Sequence, residues 1–208
     1  MSAETISEIA AFWLGSSLES PELASCRREF WYRGGAAVDD DIRVRFGKFI
    51  TQACQRDLMA WQSTSEGALA LILLLDQFTR NIYRNTPQAY VGDACAFEIV
   101  NRAIEDELDL ALPPVSRIWL YHPFHHAEDI VDQDRGLDLL KKLRQQASAE
   151  WQPYVELSIE GWTRHRDIVA RFGRFPHRNA VLARDGTDEE HDFLKTNSDA
   201  FGQGPKPT

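Results

Sequence analysis

The sequence predicts an all-α protein, and three observations lead to this fold class. Helix-start signals recur along the 208 residues, and apolar residues repeat at helical spacing in several segments. No segment alternates apolar and polar residues for long enough to indicate a sheet. Hydrophobic residues make up 43% of the chain, which favours a packed core over disorder. We expect about eight or nine helices with short connections in a single domain over residues 1–208.

The first quarter of the chain predicts one short helix and one long helix. Thr5 and Glu8 have the spacing of a capping box, which opens a short helix that ends at Gly15. Residues 16–37 contain a proline and a glycine pair, so we expect this stretch to be irregular. Within it lie three successive aromatic residues, which either form a dimer contact or pack on the core. Residues 39–61 predict a long amphipathic helix.

The next helix is expected at the centre of the domain. Ser63 and Glu66 form a second capping box, and residues 68–75 are apolar on every side, which indicates burial of all faces. At its end Asp76 continues an apolar stripe, and Arg80 one turn later is its natural ion-pair partner. A buried carboxylate has to be paired or neutralised. The two residues therefore form either a structural ion pair or part of a ligand-binding or catalytic site.

Proline and glycine residues divide the second half of the chain into further helices. Gly173 and Pro176 end one helix, and Thr187 with Glu190 caps a final short one. We expect the tail, residues 202–208, to be loose. The predicted helices before Gly173 span residues 93–108, 114–121, 126–147 and 153–172.

Charge and composition exclude several classes of protein. The net charge of −9 argues against a nucleic-acid binder and against a protein that binds anionic membranes. The longest apolar run has eight residues, which is too short for a membrane span, and the N-terminus lacks a signal-peptide pattern. Cys26, Cys54 and Cys95 form no CxxC motif, so we expect neither a disulfide framework nor a cysteine zinc site. We expect the protein to be located in the reducing cytoplasm.

Three histidines lie close together in the sequence. His122, His125 and His126 have the spacing at which a helix could present metal ligands. Pro123 interrupts this helix, however, and no HExxH pattern is present. His126 also shares a helical face with apolar residues, which favours a hydrogen-bonded histidine at the edge of the core. We therefore predict no metal and no cofactor.

Arginines are concentrated between residues 164 and 184. This segment has six arginines and one acid, Asp167, in a chain whose net charge is −9. Guanidinium groups bind carboxylates and phosphates, and they also form structural ion pairs. A tight turn around Gly173 and Pro176 could direct several of these groups toward one anion. The alternative is that they bridge to acids on neighbouring helices.

These segments supply the candidate functional residues. If the protein is an enzyme, His165, His177 or Asp76 would act as general acid or base. No phosphate-binding glycine loop, GxGxxG motif or GxSxG motif is present to specify a reaction. The candidates for ligand binding are Arg80, Arg84, His126, Arg166, Arg171, Arg174, His177, Arg178 and Asn179.

Three stretches, LLLDQFTRNIYRNTPQAY, WLYHPFHHAEDIVDQ and HRDIVARFGRFPHRNAVLARDGTDEE, resemble signature segments of the bacterial family called domain of unknown function 924. The similarity extends over residues 9–201. It implies a fold similar to tetratricopeptide-repeat proteins, with helical hairpins stacked into a right-handed curve, and it implies no activity. Members of the family usually carry other residues where His122 and His125 stand, which weakens the metal hypothesis further.

Two functional hypotheses follow. In the first, a pocket rich in arginine and histidine binds a small anion that carries a phosphate or a carboxylate, with possible hydrolase or transferase activity. In the second, the protein is an interaction scaffold that holds a peptide tail, as tetratricopeptide-like folds often do, and the charged motifs form a structural ion-pair network. The sequence leaves the oligomeric state open.

Overall fold

A computed structural model describes residues 3–196, which contain ten helices and no β-strand. The all-α prediction is confirmed, and the number of helices in this range exceeds the predicted eight or nine. Helix α4 has three consecutive parts, Ser65–Ile72, Leu73–Phe78 and Thr79–Ile82. The other helices are α1 (Ala3–Leu14), α2 (Pro21–Arg33), α3 (Gly35–Cys54), α5 (Asp93–Glu105), α6 (Pro114–Leu120), α7 (His122–His126), α8 (Ile130–Gln146), α9 (Gln152–Phe172) and α10 (Asp188–Thr196).

The prediction of an irregular segment over residues 16–37 is wrong, because α2 fills most of it. Ser20 caps this helix by accepting a hydrogen bond from the backbone N–H of Leu23 at 3.3 Å. Pro21 occupies the first helical position, where the missing N–H removes no helical hydrogen bond. Gly35, the first residue of α3, then takes a φ of +60°. The proline that indicated a break in fact starts a helix.

Several predicted helix ends also differ from the structure. The helix expected over residues 39–61 ends at Cys54 and is followed by a 3₁₀ turn (Met59–Ser63). Thr64, and not Ser63, caps α4 by accepting from the N–H of Gly67 at 3.1 Å. Because α1 already includes Thr5, the first predicted capping box does not exist.

The remaining ends agree partly with the prediction. The helix expected over residues 126–147 begins at Ile130, because Asp129 caps α8 by accepting from the N–H of Val131 at 2.8 Å, and residue 126 ends α7. The helix expected over residues 93–108 ends at Glu105. Gly173 ends α9 with a φ of +68°, as predicted. The predicted tail, residues 202–208, lies outside the described residues.

The last predicted capping box is confirmed. Thr187 Oγ1 accepts from the N–H of Glu190 at 3.2 Å, and the Glu190 carboxylate accepts from the N–H of Thr187 at 2.7 Å. This reciprocal pair satisfies two backbone donors at the start of α10.

Helix α4 forms the centre of the core, as predicted. Residues 67–76 are all buried, and α1, α3, α5 and α6 pack around the helix. Aromatic rings fill the space beside it: the Trp13 ring contacts those of Phe78 and Trp119 edge-on, with centroids 5.5 Å and 5.2 Å apart. Burial of these large side chains is a major source of stability for the fold. Among the described residues, no helix is long and apolar enough to cross a membrane.

The middle of α4 is a π-helical turn over Leu73–Phe78. A π-turn inserts one extra residue into an α-helix and is often found at functional sites. The hydroxyl of Thr79 donates to the carbonyl oxygen of Leu75 at 2.7 Å. The start of α5 lies against the same carbonyl, since a Cβ atom on Gly92 would come within 2.2 Å of it. The turn thereby sets how Asp76 and Arg80 meet the neighbouring helices.

A smaller hydrophobic cluster holds the C-terminal segment against the rest of the molecule. It contains Ile168, Val169 and Phe175. Glu128, at the junction between α7 and α8, accepts from the N–H of Phe175 at 2.7 Å and from both terminal nitrogens of Arg184 at 2.6 and 2.9 Å. These contacts place the 3₁₀ turn Pro176–Arg178 next to α7.

Candidate functional site

A cavity of about 280 Å³ lies where α2, α4, α7, α9 and the turn Pro176–Arg178 meet. Its wall contains three arginine or amide side chains from α4 and Arg84 just beyond its end, four histidines from α7 and α9, and two residues of the C-terminal turn. No aspartate or glutamate lines it, although the chain carries a net charge of −9. The lining residues are Trp31, Tyr32, Gln77, Arg80, Asn81, Arg84, Tyr90, His122, His125, His126, His165, His177 and Arg178.

Two of the three arginines in the cavity are paired with carboxylates behind the wall. Arg80 donates to both carboxylate oxygens of Asp93 at 2.8 Å, and its Nη1 lies 3.1 Å from Asp76 Oδ1. Burial disfavours the charged guanidinium, but Asp76 and Asp93 outweigh that cost and raise the pKa of Arg80. Arg84 donates to both oxygens of Asp39 at 2.6 and 3.0 Å. The predicted Asp76–Arg80 ion pair is confirmed.

The third arginine, Arg178, has a different environment. Its side chain is buried, and no carboxylate of the described residues lies within the 4.0 Å of an ion pair. Its Nη2 donates to the carbonyl oxygen of His126 at 3.0 Å, and its Nε is buried without a hydrogen-bond partner. The guanidinium lies over the rings of Phe175 and Tyr90, 4.5 and 4.9 Å from their centroids. Burial, followed by the nearby charge of Arg80, lowers the pKa of Arg178.

His126 is held in place by Asp76. Its Nδ1 lies 2.8 and 3.0 Å from the two carboxylate oxygens, and the Asp76 side chain is only 1% exposed. Because Asp76 occupies Nδ1, Nε2 is the ring nitrogen left for a molecule in the cavity. Burial, with Arg80 as the next cause, lowers the pKa of His126 well below its usual value. The imidazole is therefore a neutral base at neutral pH, fixed in one tautomer by a buried carboxylate.

The other histidines form a compact group. The rings of His125 and His165 have centroids 3.8 Å apart, and the His122 ring stacks on Trp119 at 4.1 Å. Burial lowers the pKa of His122 and of His165 to about 4. Burial also lowers the pKa of His177 to about 3. Within residues 3–196, no group of three histidine, cysteine, aspartate or glutamate residues is arranged to hold a metal ion.

Six of the residues selected from the sequence meet at the cavity wall, and Asp76 lies directly behind it. Asp76, a candidate for acid or base catalysis, is buried beneath His126 and Arg80 and contacts both side chains. The six residues at the wall are Arg80, Arg84, His126, His165, His177 and Arg178.

The other four candidates for ligand binding lie outside the cavity. Arg166 pairs with Asp134 at 2.8 Å, and Arg171 pairs with Glu189 at 2.8 Å. Arg174 donates to both oxygens of Glu190 at 2.7 and 2.8 Å, and this bond is the main reason why the pKa of Glu190 falls to about 2. These three arginines form structural ion pairs with acids of other segments, as the alternative to ligand binding predicted. Asn179 is buried beside Glu190.

Other residues of the wall were not selected from the sequence. Trp31 and Tyr32 reach the cavity because residues 21–33 form a helix. The prediction of an irregular segment gave these two residues no defined position. His122 and His125 were considered only as metal ligands, and they were set aside when that hypothesis weakened. The close spacing of the histidines in the sequence was the signal that could have identified them, because it indicates a common location whether or not a metal binds.

The model of a bacterial family, described as a bacterial protein of unknown function (DUF924), matches residues 9–198. A solved structure of a protein of unknown function from Agrobacterium tumefaciens is also similar. It is 36% identical in sequence, covers 94% of this chain and 99% of its own, and has a TM-score of 0.78. No curated protein matches the chain.

Proposed function

The chain belongs to a bacterial family of unknown function, DUF924, and we propose its function from the cavity alone. We propose that the cavity binds a small molecule that carries a phosphate or a carboxylate. Membership of the family itself implies no activity. The observation that carries this proposal is Arg178. A buried cation without a paired carboxylate is costly, and the cost is offset when an anion binds beside it. Its unpartnered Nε adds a donor that a phosphate or carboxylate oxygen would satisfy.

The rest of the wall suits the same ligand. Arg80 and Arg84 add two guanidinium groups to the wall; the carboxylates behind the wall balance their charge, and the bonds to Asp93 and Asp39 fix their positions. Burial lowers the pKa values of the cavity histidines, so these rings are neutral at neutral pH. Nδ1 of His122, His126 and His165 donates to a carbonyl or carboxylate oxygen, which makes Nε2 of each ring an acceptor for a hydroxyl group of the ligand. The absence of acids from the lining removes the repulsion that would oppose an anion.

We expect inorganic phosphate to bind the wild-type protein, and Arg178→Met to weaken this binding by about tenfold or more. A hydrogen bond to a charged group contributes about 1.5–3 kcal/mol, which corresponds to a factor of that size. Methionine keeps an apolar stem against Phe175 and Tyr90, so the variant should fold. Isothermal titration calorimetry at low ionic strength measures the dissociation constants.

Arg166→Met is the matched control for this experiment. It removes an arginine whose partner is Asp134 on the surface, away from the cavity. We expect its affinity for phosphate to equal that of the wild type. Equal affinities in Arg178→Met and the wild type, or no binding of phosphate or acetate by the wild type, would contradict the proposal.

A chemical step is favoured by the contact between His126 and Asp76. In hydrolysis of a phosphate or carboxyl ester, His126 Nε2 would take a proton from a water molecule whose oxygen attacks the phosphorus or the carbonyl carbon. Arg178 would stabilise the negative charge that develops on the ester oxygens, and the proton would return to the departing alkoxide. His126 is preferred to His165 and His177, the candidates chosen from the sequence, because its contact with the buried Asp76 carboxylate fixes its ring.

The test of this step uses p-nitrophenyl phosphate and p-nitrophenyl acetate, whose product is measured by absorbance. We expect turnover by the wild type and a loss of about 100-fold or more in kcat for His126→Gln, in the range reported for a general base. Phosphate affinity in the same variant should change by less than the catalytic rate. Turnover that survives in His126→Gln would remove this residue from the mechanism.

The scaffold hypothesis makes a different claim about the same arginine. A tetratricopeptide-like right-handed stack would present a groove for a peptide tail, and Arg178 would bind its terminal carboxylate. A volume of about 280 Å³ favours a small molecule, since an extended peptide needs a longer channel. Tight binding of a C-terminal peptide together with no affinity for phosphate or acetate would favour the scaffold.

A further inference from the structure

A second cavity, also of about 280 Å³, lies beside the first one between α2, α6 and α9. The two cavities share part of their walls, so a molecule in one lies next to a molecule in the other. The shared residues are Trp31, Tyr32, His122, His125 and His165.

Flat aromatic surfaces form much of the second cavity. Trp162 stacks on His125, with centroids 4.7 Å apart and an interplanar angle of 19°, and Trp119 stacks on His122 at 4.1 Å and 10°. Tyr154 adds a third ring. Aromatic rings pack favourably in stacked and edge-to-face arrangements. The walls therefore suit a planar ring more closely than a flexible chain.

Gly161 keeps this cavity open. It lies inside α9, where a glycine is less favourable than alanine. A Cβ atom at Gly161 would meet only Arg164 Nη2, at 3.8 Å, so crowding does not explain the glycine. At Gly136 and Gly67, in contrast, a Cβ atom would lie 2.8 and 2.1 Å from its neighbours. A larger side chain at position 161 would extend into the cavity.

The charge of the second cavity matches that of the first. Its lining includes Arg28 and Arg164 and contains no aspartate or glutamate. Neither arginine has a carboxylate of the described residues within ion-pair distance. The guanidinium of Arg28 lies 5.1 Å from the centre of the Tyr32 ring. Both cavities thus attract a negatively charged molecule.

We propose that the second cavity binds a planar aromatic ring of the same ligand whose anionic group lies beside Arg178, so that the ligand class is an aryl phosphate or an aromatic carboxylate. The inference rests on the proposed function, because the anionic group is the part that the first cavity binds. The shared histidines line both cavities, so a ligand that extends from one to the other would contact their rings. Neither cavity alone would account for the whole ligand.

The experiment compares inorganic phosphate, 1-naphthyl phosphate and octyl phosphate by calorimetry on the wild type and on Gly161→Leu. Burial of the naphthyl ring should make 1-naphthyl phosphate bind the wild type at least about tenfold more tightly than inorganic phosphate. Leucine is a better helix former than glycine, so the variant should fold. We expect it to bind 1-naphthyl phosphate no better than inorganic phosphate. Gly161→Ala, which adds a single methyl group, is the matched control and should keep most of the gain.

The outcomes separate this inference from the proposed function. Equal affinities of inorganic phosphate and 1-naphthyl phosphate for the wild type overturn the inference and leave the anion site intact. An equal gain for octyl phosphate overturns the choice of an aromatic ring. A gain that persists in Gly161→Leu shows that the ring binds elsewhere and overturns the inference too. If neither inorganic phosphate nor 1-naphthyl phosphate binds, both proposals fail.

Discussion

Replacing Asp76 with alanine is expected to lower the free energy of unfolding by about 3–5 kcal/mol, which is the usual cost of removing one member of a buried ion pair. The Asp76 carboxylate contacts Arg80 at 3.1 Å and His126 at 2.8 Å, and it is almost fully buried. In the variant, Arg80 loses one of its counter-ions and keeps its bonds to Asp93, and Nδ1 of His126 loses the Asp76 carboxylate. Urea unfolding followed by circular dichroism measures the change.

Asp134→Ala is the control for this loss. Asp134 pairs with Arg166 on the surface and is half exposed, and such pairs contribute at most about 1 kcal/mol. A loss of stability in Asp76→Ala no larger than that in Asp134→Ala would show that the buried cluster does not stabilise the fold. Asp76→Asn separates charge from shape, because the amide keeps the size of the side chain and removes its negative charge.

Acidification from pH 7 to pH 5 is expected to destabilise the protein steeply. Burial lowers the pKa of His177 to about 3, and that of His122 and of His165 to about 4, whereas these groups titrate near 6.5 in the unfolded chain. The unfolded state therefore binds more protons below pH 6.5, and stability falls as the pH decreases from 6.5 toward 4. Each histidine contributes a slope of up to about 1.4 kcal/mol per pH unit.

The interval from pH 6.5 to pH 5 isolates the histidines, because carboxylates in unfolded chains titrate near pH 4. Urea unfolding at several pH values gives the slope, from which the number of protons taken up on unfolding follows. His177→Phe should reduce this slope by about one proton. A free energy of unfolding that stays constant from pH 7 to pH 5 would mean that the histidines are hydrated and titrate normally.

Local sequence signals predicted the fold where they act over a few residues. The reciprocal contact of Thr187 and Glu190 and the end of α9 at Gly173 both depend on nearest neighbours, and both were predicted. The same reasoning failed at Pro21, since a proline either breaks a helix or starts one. Ser20, three residues before the N–H of Leu23, was the local signal that favours the start.

The candidate site was harder to predict, because its chemistry depends on distant partners. Six arginines between residues 164 and 184 look alike in the sequence. The acids that pair with Arg166 and Arg184 lie 32 and 56 residues away, and only the fold shows that Arg178 has none within ion-pair distance. Sequence patterns therefore identified the segments that meet at the cavity, and tertiary contacts decided which side chains within them face it.

The π-helical turn in α4 gives the fold and the cavity separate sequence requirements. Each residue of an α-helix advances the chain by about 100° around the axis. Deleting one residue within Leu73–Phe78 would restore a regular helix that could still bury its apolar faces, but Asp76 and Arg80 would be rotated by about a quarter turn relative to the residues before them. In a gene that encodes the regular helix, the insertion of a single codon would thus be enough to create the π-turn and to bury this carboxylate.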